Sequence, residues 1–535
     1  MRRPVDLDQD RVVGLVLRLS GPAILGISAH ALQMLVNAWF VADLGAAAIA
    51  TIALAYPVTL LVAALGYGAG IAAASQVSRA LGSGDRDRAA AAAGLGFWLS
   101  LPAGLAVTAA IVADTPFWLR LLGADAALAA EAAPYTALAT VGTALMLVMI
   151  VGGFVVRGQG HARLSGAVMV GSFGLNILLD AVLIRVCGLG TVGAGWAAIG
   201  AQLAGAAAYG LHFARARGAD RVSLRWPGGR IGRGALAEAL TLALPATGSS
   251  LLAAVAMALF VEAAAPYGDA AVAAQGIALR LTLVAALPLL GTMAGAQAVL
   301  GHAAGAGRRD RLHRALAFVL AAALAYGLVV GGLMIACAEP LAGLFAQDPA
   351  TARAGARATA LFAVAFMPVG LQLTAATLFQ AIGAPRRAAA VSLAAQGLAL
   401  IPPLLILPPL LGYAGVLASR VAAEFLADGL GLALLLAWGL DARRAGGAAP
   451  IEGREAVQVA AAHETAHQGR VRPRAGPRSR PAARPRPGGA GRPCAPAPAA
   501  RPPRPPPAAG IPATPRPPRG SPCRDRPGPG RRRDR

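Results

Sequence analysis

An asparagine and an aspartate lie four residues apart inside an otherwise apolar stretch of the chain. Asn176 and Asp180 interrupt the run "NILLDAVLI", and a spacing of four places both side chains on one face of a helix. Placing an ionised carboxylate in the hydrocarbon core of a membrane costs free energy. Ionisable residues found there usually face the interior of a helix bundle or a cavity. The pair therefore predicts a buried site in which one carboxylate and neighbouring amides bind a proton or Na⁺.

A third polar side chain can reach the same depth from the first apolar segment. Asn37 lies 15 residues after Pro22 (37 − 22), and Asp180 lies 16 residues after Leu164 (180 − 164). A rise of about 1.5 Å per residue then places both about 22–24 Å along their helices, in the outer third of a bilayer. If the two helices are neighbours, we expect Asp180 to be the ion-linked acid, with Asn37 and Asn176 as supporting ligands. The alternative is a partly hydrated aspartate that is merely hydrogen-bonded near the outer interface.

The composition indicates that these residues belong to a membrane protein. The chain has 535 residues, of which 56% are hydrophobic and only 14% are charged, with a mean hydropathy of +0.60. A soluble domain is about one quarter charged. Apolar stretches of about 20 residues recur, each long enough to cross a bilayer, and they predict an all-α integral membrane protein. The twelve expected transmembrane segments are 20–41, 47–74, 89–113, 133–154, 163–184, 192–213, 239–264, 270–298, 314–336, 356–380, 388–411 and 414–438.

The loops between these segments alternate in charge, which predicts their orientation. Arginines concentrate in every second loop, whereas the other loops are acidic and contain Asp43, Asp114, Asp125, Glu131, Asp269, Glu339 and Asp348. The positive-inside rule places the arginine-rich loops and both termini in the cytoplasm. We therefore expect a multi-pass protein of the plasma (inner) membrane.

The two halves of the chain resemble each other at a constant offset in sequence. Pro22 corresponds to Pro245, and "GSGDRDR" at 82–88 corresponds to "GAGRRDR" at 305–311 with the same separation, which we call the repeat offset. Six segments in each half give both halves the same orientation, so the repeat is parallel, as in many secondary transporters. The repeat predicts two six-helix lobes related by a pseudo-twofold axis.

Four regions are expected along the chain. They are an N-terminal lobe at 1–213, a basic cytoplasmic linker at 214–238, a C-terminal lobe at 239–445 and a tail at 446–535. The tail is rich in proline and arginine, cannot bury a core and is predicted to be disordered. Binding of anionic lipid or RNA by the tail is the alternative.

The motifs, taken in order, resemble the MATE (multidrug and toxic compound extrusion) family of transporters. The matching stretches are "SGPAILG", "VNAWFVADLGAAAIATIAL", "SQVSRALGSGD", "RGQGHAR", "NILLDAVLIRVCGLGTVGAGWA", "LPATGSS" and "FQAIGAPRRA". The resemblance implies a V-shaped antiporter of twelve helices that exports organic cations or other amphiphiles in exchange for H⁺ or Na⁺. Asn176 and Asp180 match the family's residues in the fifth helix. Asn37 and Ala198 stand where many members carry an Asp and a Thr.

Further polar residues are candidates for contact with a substrate. They are Glu262 in the seventh segment, Gln275 in the eighth, and Glu424 and Asp428 in the twelfth. Arg420, Glu424 and Asp428 are spaced by four and share a helix face, so mutual neutralisation inside the bundle is the alternative. The positions one repeat offset after Asn37, Asn176 and Asp180 hold no acid. Ion coupling is therefore expected in the first lobe alone.

The sequence favours an exporter that alternates access by rocking its lobes. One alternative is a lipid-linked oligosaccharide flippase of the same wider superfamily, which would carry basic rather than acidic residues in its cavity. Another is an integral membrane enzyme, which would need paired acids with a histidine or a nucleophile at one membrane face. No Walker motif indicates use of ATP, and the four cysteines lack metal-like spacing. We expect a monomer without cofactor or nucleic-acid partner that acts on a small molecule among membrane lipids.

Overall fold

A computed structural model describes residue 7 and residues 9–218, 221–223, 233–346 and 348–444. Within these ranges the chain is helical and contains no β-strand, as the sequence predicts. Residues 219–220 and 224–232 of the linker expected at 214–238, and the whole tail at 446–535, lie outside the described residues. The helix that follows the linker begins at Arg233, six residues before the expected start of the second lobe.

Sixteen α-helices follow one another in the described part of the chain. They are α1 (Val12–Ala42), α2 (Ala46–Gly82), α3 (Arg86–Ala113), α4 (Thr115–Leu121), α5 (Ala126–Gly158), α6 (Ala162–Asp180), α7 (Gly190–Arg215), α8 (Arg233–Glu262), α9 (Asp269–Gly305), α10 (Arg309–Ala336), α11 (Ala338–Gly343), α12 (Pro349–Phe366), α13 (Gly370–Ile382), α14 (Pro385–Leu393), α15 (Ile401–Leu411) and α16 (Tyr413–Arg444). Two π-helical turns, Ala181–Val186 and Ala394–Leu398, extend α6 and α14, and a 3₁₀ turn forms at Ala265–Tyr267.

These helices account for the expected transmembrane segments. Ten helical segments in the described residues are long and apolar enough to cross a membrane, and α12 and α13, which meet at a bend of 46°, form an eleventh together. The remaining expected segment, 192–213, coincides with α7, a helix of 26 residues. Its many glycine and alanine residues make it less hydrophobic than the others. Short helices α4 and α11 connect neighbouring segments.

Acidic residues in the loops start several of the helices. Asp85 accepts a hydrogen bond from the backbone N–H of Arg88 at 2.9 Å at the start of α3, and Asp125 accepts one from Leu128 at 2.7 Å at the start of α5. Such caps satisfy backbone N–H groups that have no partner within the helix. An aspartate therefore marks the start of a helix in an arginine-rich loop (Asp85) as well as in an acidic loop (Asp125).

The two lobes contact each other near one end of their helices. We call this the basic end, because α2 and α9 end there at the arginine-rich loops; the opposite end is the acidic end. Helix α1 packs against α9, and α2 packs against α8 and α9. Arg79 on α2 forms an ion pair with Glu238 on α8. The Gln76 side chain donates a hydrogen bond to the carbonyl oxygen of Ala235 at 3.0 Å.

Glycine permits close approach between backbones of the two lobes. At Gly295 on α9, an added Cβ would lie only 2.7 Å from the backbone nitrogen of Ser20 on α1. Towards the acidic end, by contrast, the same pair of lobes presents exposed apolar side chains, including Leu35 and Trp39 on α1 and Val255 on α8. The described contacts between the lobes therefore concentrate in the basic half.

Candidate functional site

Helices α1 and α6 lie side by side in the first lobe and run in the same direction. Their side chains meet in three successive pairs, each 143 residues apart in sequence: His30 with Phe173, Gln33 with Asn176, and Asn37 with Asp180. A constant offset is expected when two parallel helices rise by the same distance per residue. The structure thus brings together the three residues that the sequence proposes as ion ligands.

Asp180 is the most deeply buried member of this group, with no exposed surface. Its Oδ2 atom accepts a hydrogen bond from Nδ2 of Asn37 at 3.1 Å. Its Oδ1 atom is buried and has no hydrogen-bond partner in the described residues. A buried carboxylate that is only half satisfied costs free energy unless it is protonated or meets a cation, and Oδ1 is the atom at which either would satisfy it.

The amide of Asn176 is held by a residue outside the predicted ligand set. Gln33, one turn before Asn37 on α1, donates a hydrogen bond from Nε2 to Oδ1 of Asn176 at 2.6 Å. Asn176 is itself 2% exposed. The repeated polar residues at a spacing of four on α1 are the sequence signal that places Gln33 beside the site.

Tyr135 on α5 is a second residue that sequence reasoning did not include. Its ring packs against the small cluster of Phe40, Ile184 and Ala194, as does Ala181, the residue that follows Asp180. No spacing rule connects α5 with α6 in the sequence, because this proximity arises only from tertiary packing. Tyr135 supplies a hydroxyl group near the acid from a third helix.

A change of helix type follows Asp180 immediately. Residues Ala181–Val186 form a π-helical turn, in which the N–H of Cys187 bonds to the carbonyl of Val182. Such turns occur frequently at functional sites, where they alter the direction of neighbouring side chains. Within the turn, Arg185 pairs with Asp43 and lies 4.4 Å from the centre of the Trp39 ring. This contact ties α6 to the end of α1.

A cavity of about 60 Å³ continues the same face towards the basic end. Its lining combines aromatic and methionine side chains with one histidine and one arginine: His30, Tyr67, Met146, Met149, Ile150, Phe154, Arg157, Met169 and Phe173. Arg157 donates a hydrogen bond to Oγ of Ser165 at 2.7 Å and lies 4.6 Å from the centre of the Phe154 ring. Methionine-rich walls adapt to ligands of varied shape. His30 joins this cavity to the polar pairs above it.

Two of the four candidate substrate contacts meet in the second lobe. Glu424 on α16 pairs with Arg420 one turn earlier, and its Oε2 atom accepts a hydrogen bond from Nε2 of Gln372 on α13 at 2.6 Å. Asp428 accepts one from the backbone N–H of Gln372 at 3.3 Å. Gln372 was not among the predicted residues; the available signal was an amide inside an apolar segment.

The other two candidates lie apart from this group. Gln275 on α9 is 1% exposed and donates from Nε2 to the carbonyl oxygen of Phe260 at 2.9 Å, so it links α9 to α8. Glu262 is exposed at the last residue of α8. The structure therefore does not gather the four candidates into one cavity lining.

Together, fold and site define a class of protein. Two helical lobes of the same orientation, with buried acids inside the bundle, are the architecture of a secondary transporter. The MatE family model matches residues 22–182 and again residues 245–405. The chain belongs to the MatE family of membrane transporters. The two matches begin at Pro22 and Pro245, the pair that defines the repeat offset, which confirms the parallel repeat predicted from the sequence.

Relatives and solved structures agree with this family. The chain is 26% identical to a FAD transporter of Shewanella oneidensis over 402 residues, which are 72% of this chain and 86% of the relative. It is 24% identical to the multidrug export protein MepA of Staphylococcus aureus over 423 residues, 78% and 92% of the two chains. The crystal structure of MATE in complex with MaL6 superimposes with a TM-score of 0.76 at 25% identity, covering 81% of this chain and 98% of that one.

These matches decide between the alternatives that the sequence left open. The predicted family, the two-lobed helical fold and the assignment as a transporter rather than an enzyme are confirmed. The flippase alternative is not favoured, because the family model and the relatives all point to MATE transporters.

Proposed function

We propose that the protein is a secondary active antiporter that exports organic cations or other amphiphilic molecules in exchange for H⁺ or Na⁺. The observation that carries the proposal is the Asp180 carboxylate, fully buried and half satisfied between two helices of one lobe. The names of the relatives, a multidrug export protein and a FAD transporter, support organic substrates. The methionine-rich cavity of the first lobe supports a substrate of adaptable shape.

Asp180 acts as the coupling acid in this proposal. When its free Oδ1 atom binds a cation, the negative charge between α1 and α6 is neutralised, and the Asn37 amide loses much of the attraction that holds it to Oδ2. The π-helical turn next to Asp180 gives α6 a place at which to change direction. Cation binding thereby favours one packing of α1 against α6 over another, which is what alternating access requires.

The contacts around Asp180 favour H⁺ over Na⁺ as the coupling ion. Na⁺ is held in transporters through several oxygen atoms, including backbone carbonyls. In this site Oδ1 of Asn176 already accepts from Gln33, and Asn37 directs its amino group at the acid. One carboxylate oxygen remains without a partner among the described residues, and a proton needs no more than that.

The orientation follows from the charges at the two ends. We infer that the basic end faces the cytoplasm of the plasma membrane, with both termini inside, two lobes at 1–213 and 239–445 joined by the linker at 214–238, and a tail from 446. The lobe contacts at the basic end then correspond to an outward-open state. The transporter works as a monomer and needs no cofactor.

Efflux measurements in proteoliposomes test the proposal. The full chain is reconstituted with ethidium as the organic cation, and a pH gradient or a Na⁺ gradient is imposed separately. We expect export by the wild type to follow the pH gradient, and Asp180→Asn to reduce it to the rate without a gradient. Glu131→Gln, a change at an exposed acid on α5, serves as the control. Gradient-driven export by Asp180→Asn equal to that of the control would refute the coupling role.

A further inference from the structure

The second lobe contains a buried acidic group that the coupling site of the first lobe does not explain. Helix α16 packs against α13, and Asp428 lies at the middle of α16, halfway between Tyr413 and Arg444. Both ends of this helix reach the ends of the lobe, so its midpoint lies near the middle of the bilayer. Asp428 is 2% exposed.

The charges of this group do not cancel. Arg420 and Glu424 neutralise each other as an ion pair one turn apart. Asp428 then remains as an uncompensated carboxylate: one of its oxygens accepts from the Gln372 backbone, and Oδ2 is buried without a partner among the described residues. Glu424 is the charged group whose field acts on Asp428. Across the interface, α13 contributes Gln372, which has no charge, and the described parts of α12, α14 and α15 contribute no further charge to it.

A second buried atom points to the same position. Gln372 is 3% exposed, and while its Nε2 atom binds Glu424, its Oε1 atom has no hydrogen-bond partner in the part of the chain that the structure describes. Two unsatisfied acceptors, one carboxylate oxygen and one amide oxygen, thus belong to the same pair of helices. Two buried acceptors without donors would be satisfied by a cation. A proton on Asp428 would neutralise the carboxylate and turn it into a hydrogen-bond donor.

The internal repeat shows that packing does not require these polar residues. One repeat offset before Gln372 and Asp428, the first lobe has Met149 and Gly205. These two also lie in contact, since a Cβ placed on Gly205 would collide with the Met149 side chain. The same junction between corresponding helices is therefore filled by a methionine and a glycine in one lobe. Burying an acid costs desolvation free energy. Because apolar groups can fill the same junction, packing does not explain why an acid is present, and a function would.

Exposure falls along the helix face that carries this group. The side chains become less exposed step by step, from 27% at Arg420 to 14% at Glu424, and Asp428 is 2% exposed as a residue. Arg420 is the member nearest the acidic end, where α16 begins at Tyr413. A proton that enters from that end meets Glu424 before it reaches Asp428.

We propose that Asp428, with Glu424 and Gln372, forms a second proton-binding site in the C-terminal lobe. A proton from water binds Oδ2 of Asp428, converts the carboxylate to a neutral acid and leaves the group without net charge; release returns the proton to water. The inference rests on the proposed antiport only in assigning these protons to the transport cycle. It departs from the expectation, drawn from the repeat, that coupling is confined to the first lobe.

Infrared difference spectroscopy tests whether Asp428 binds a proton, independently of transport. The full chain in lipid nanodiscs is titrated from about pH 9 to about pH 4, a range that brackets the ordinary titration of carboxylic acids and allows for shifted groups. The wild type is expected to show carbonyl stretching bands from two buried carboxylic acids. Asp180→Asn should remove one band and Asp428→Asn the other, and Glu131→Gln should remove neither. A spectrum of Asp428→Asn identical to that of the wild type overturns the proposal.

A second variant protects the test against misfolding. Gln372→Met introduces the residue that the first lobe uses at the equivalent position, keeps Asp428 and removes its amide neighbour. The band assigned to Asp428 should then shift in frequency while the band of Asp180 stays in place. An unshifted spectrum in this variant counts against the site.

Proton counting separates this inference from the proposed function. The number of protons taken up per substrate exported is measured in weakly buffered proteoliposomes with a pH indicator. Asp428→Asn should halve the number found for the wild type and keep gradient-driven export. If the number is unchanged, Asp428 is not part of the cycle, whereas loss of proton coupling in Asp180→Asn alone leaves the proposed function intact.

Discussion

The contact between α1 and α9 at Gly295 should set the balance between the two states of the transporter. A Cβ at this position would lie 2.7 Å from the Ser20 nitrogen, and the other near atoms also belong to Ser20 and Leu19. Ordinary van der Waals contact begins at about 3.4 Å for such a pair, so Gly295→Ala requires the two helices to separate by about 0.7 Å. Because backbone atoms block the way, a side-chain rotation cannot relieve the clash.

The clash raises the free energy of only one of the two states. Overpacking of a tight interface costs about 1–3 kcal/mol, and only the state with the lobes closed at the basic end brings α9 this near to α1. A cost of that size corresponds to a shift of about 5-fold to 150-fold in the equilibrium between states. Gly295→Ala should therefore raise the population that is open at the basic end by at least about fivefold.

Double electron–electron resonance, which measures the distance between two spin labels, would report this shift. Spin labels at Ser83, after α2, and at Arg309, at the start of α10, lie on opposite lobes at the basic end; the native cysteines are replaced first. Gly276→Ala on the same helix α9 is the matched control, since an added Cβ there meets no atom within 4 Å. If Gly295→Ala and Gly276→Ala give the same distance distribution, the assignment of this interface as the closed gate is wrong.

Two further changes probe stability. Gln33→Leu removes the donor to Asn176 and leaves a buried amide oxygen unsatisfied, so thermal unfolding in detergent should show a loss of about 1–3 kcal/mol; an unchanged melting temperature would mean that water replaces the donor. Asp348 caps α12, and hydrogen bonds from Thr351 lower the pKa of its carboxyl group. A lowered pKa in the folded state gives stability that is present above the unfolded value of about 4 and is lost as pH falls below it. The melting temperature of Asp348→Ala should thus lie below that of the wild type at neutral pH and converge with it in acid; a constant difference would refute the cap.

The sequence specifies the helices well because hydropathy acts over whole segments. Apolar runs of about 20 residues predict spans whether or not their neighbours are known, and the arginines and acids of the loops mark where they end. α7 is the instructive case: its glycines lower its hydropathy, yet the repeat and the flanking loops still predict it. The same repeat predicts the two lobes, because duplicated halves keep their order along the chain.

The site was only partly predictable, since its partners come from different helices. A spacing of four suffices to pair Asn176 with Asp180 on one face, and equal depth suggested Asn37. Neither argument could reach Tyr135 on α5, because no sequence rule states which side of α5 faces Asp180. Gln372 was missed for the same reason: it joins α13 to α16 through tertiary packing.

The central claim is that Asp180 couples ion movement to substrate movement. The most direct test compares two activities of the same variant: substrate exchange without a gradient (counterflow) and substrate accumulation driven by a gradient. Liposomes containing Asp180→Asn are loaded with unlabelled substrate, and entry of labelled substrate is followed without any gradient, then under an imposed pH gradient. The account predicts that exchange persists near the wild-type rate while accumulation driven by the gradient disappears. Accumulation at the wild-type level, with the wild-type dependence on pH, would contradict it.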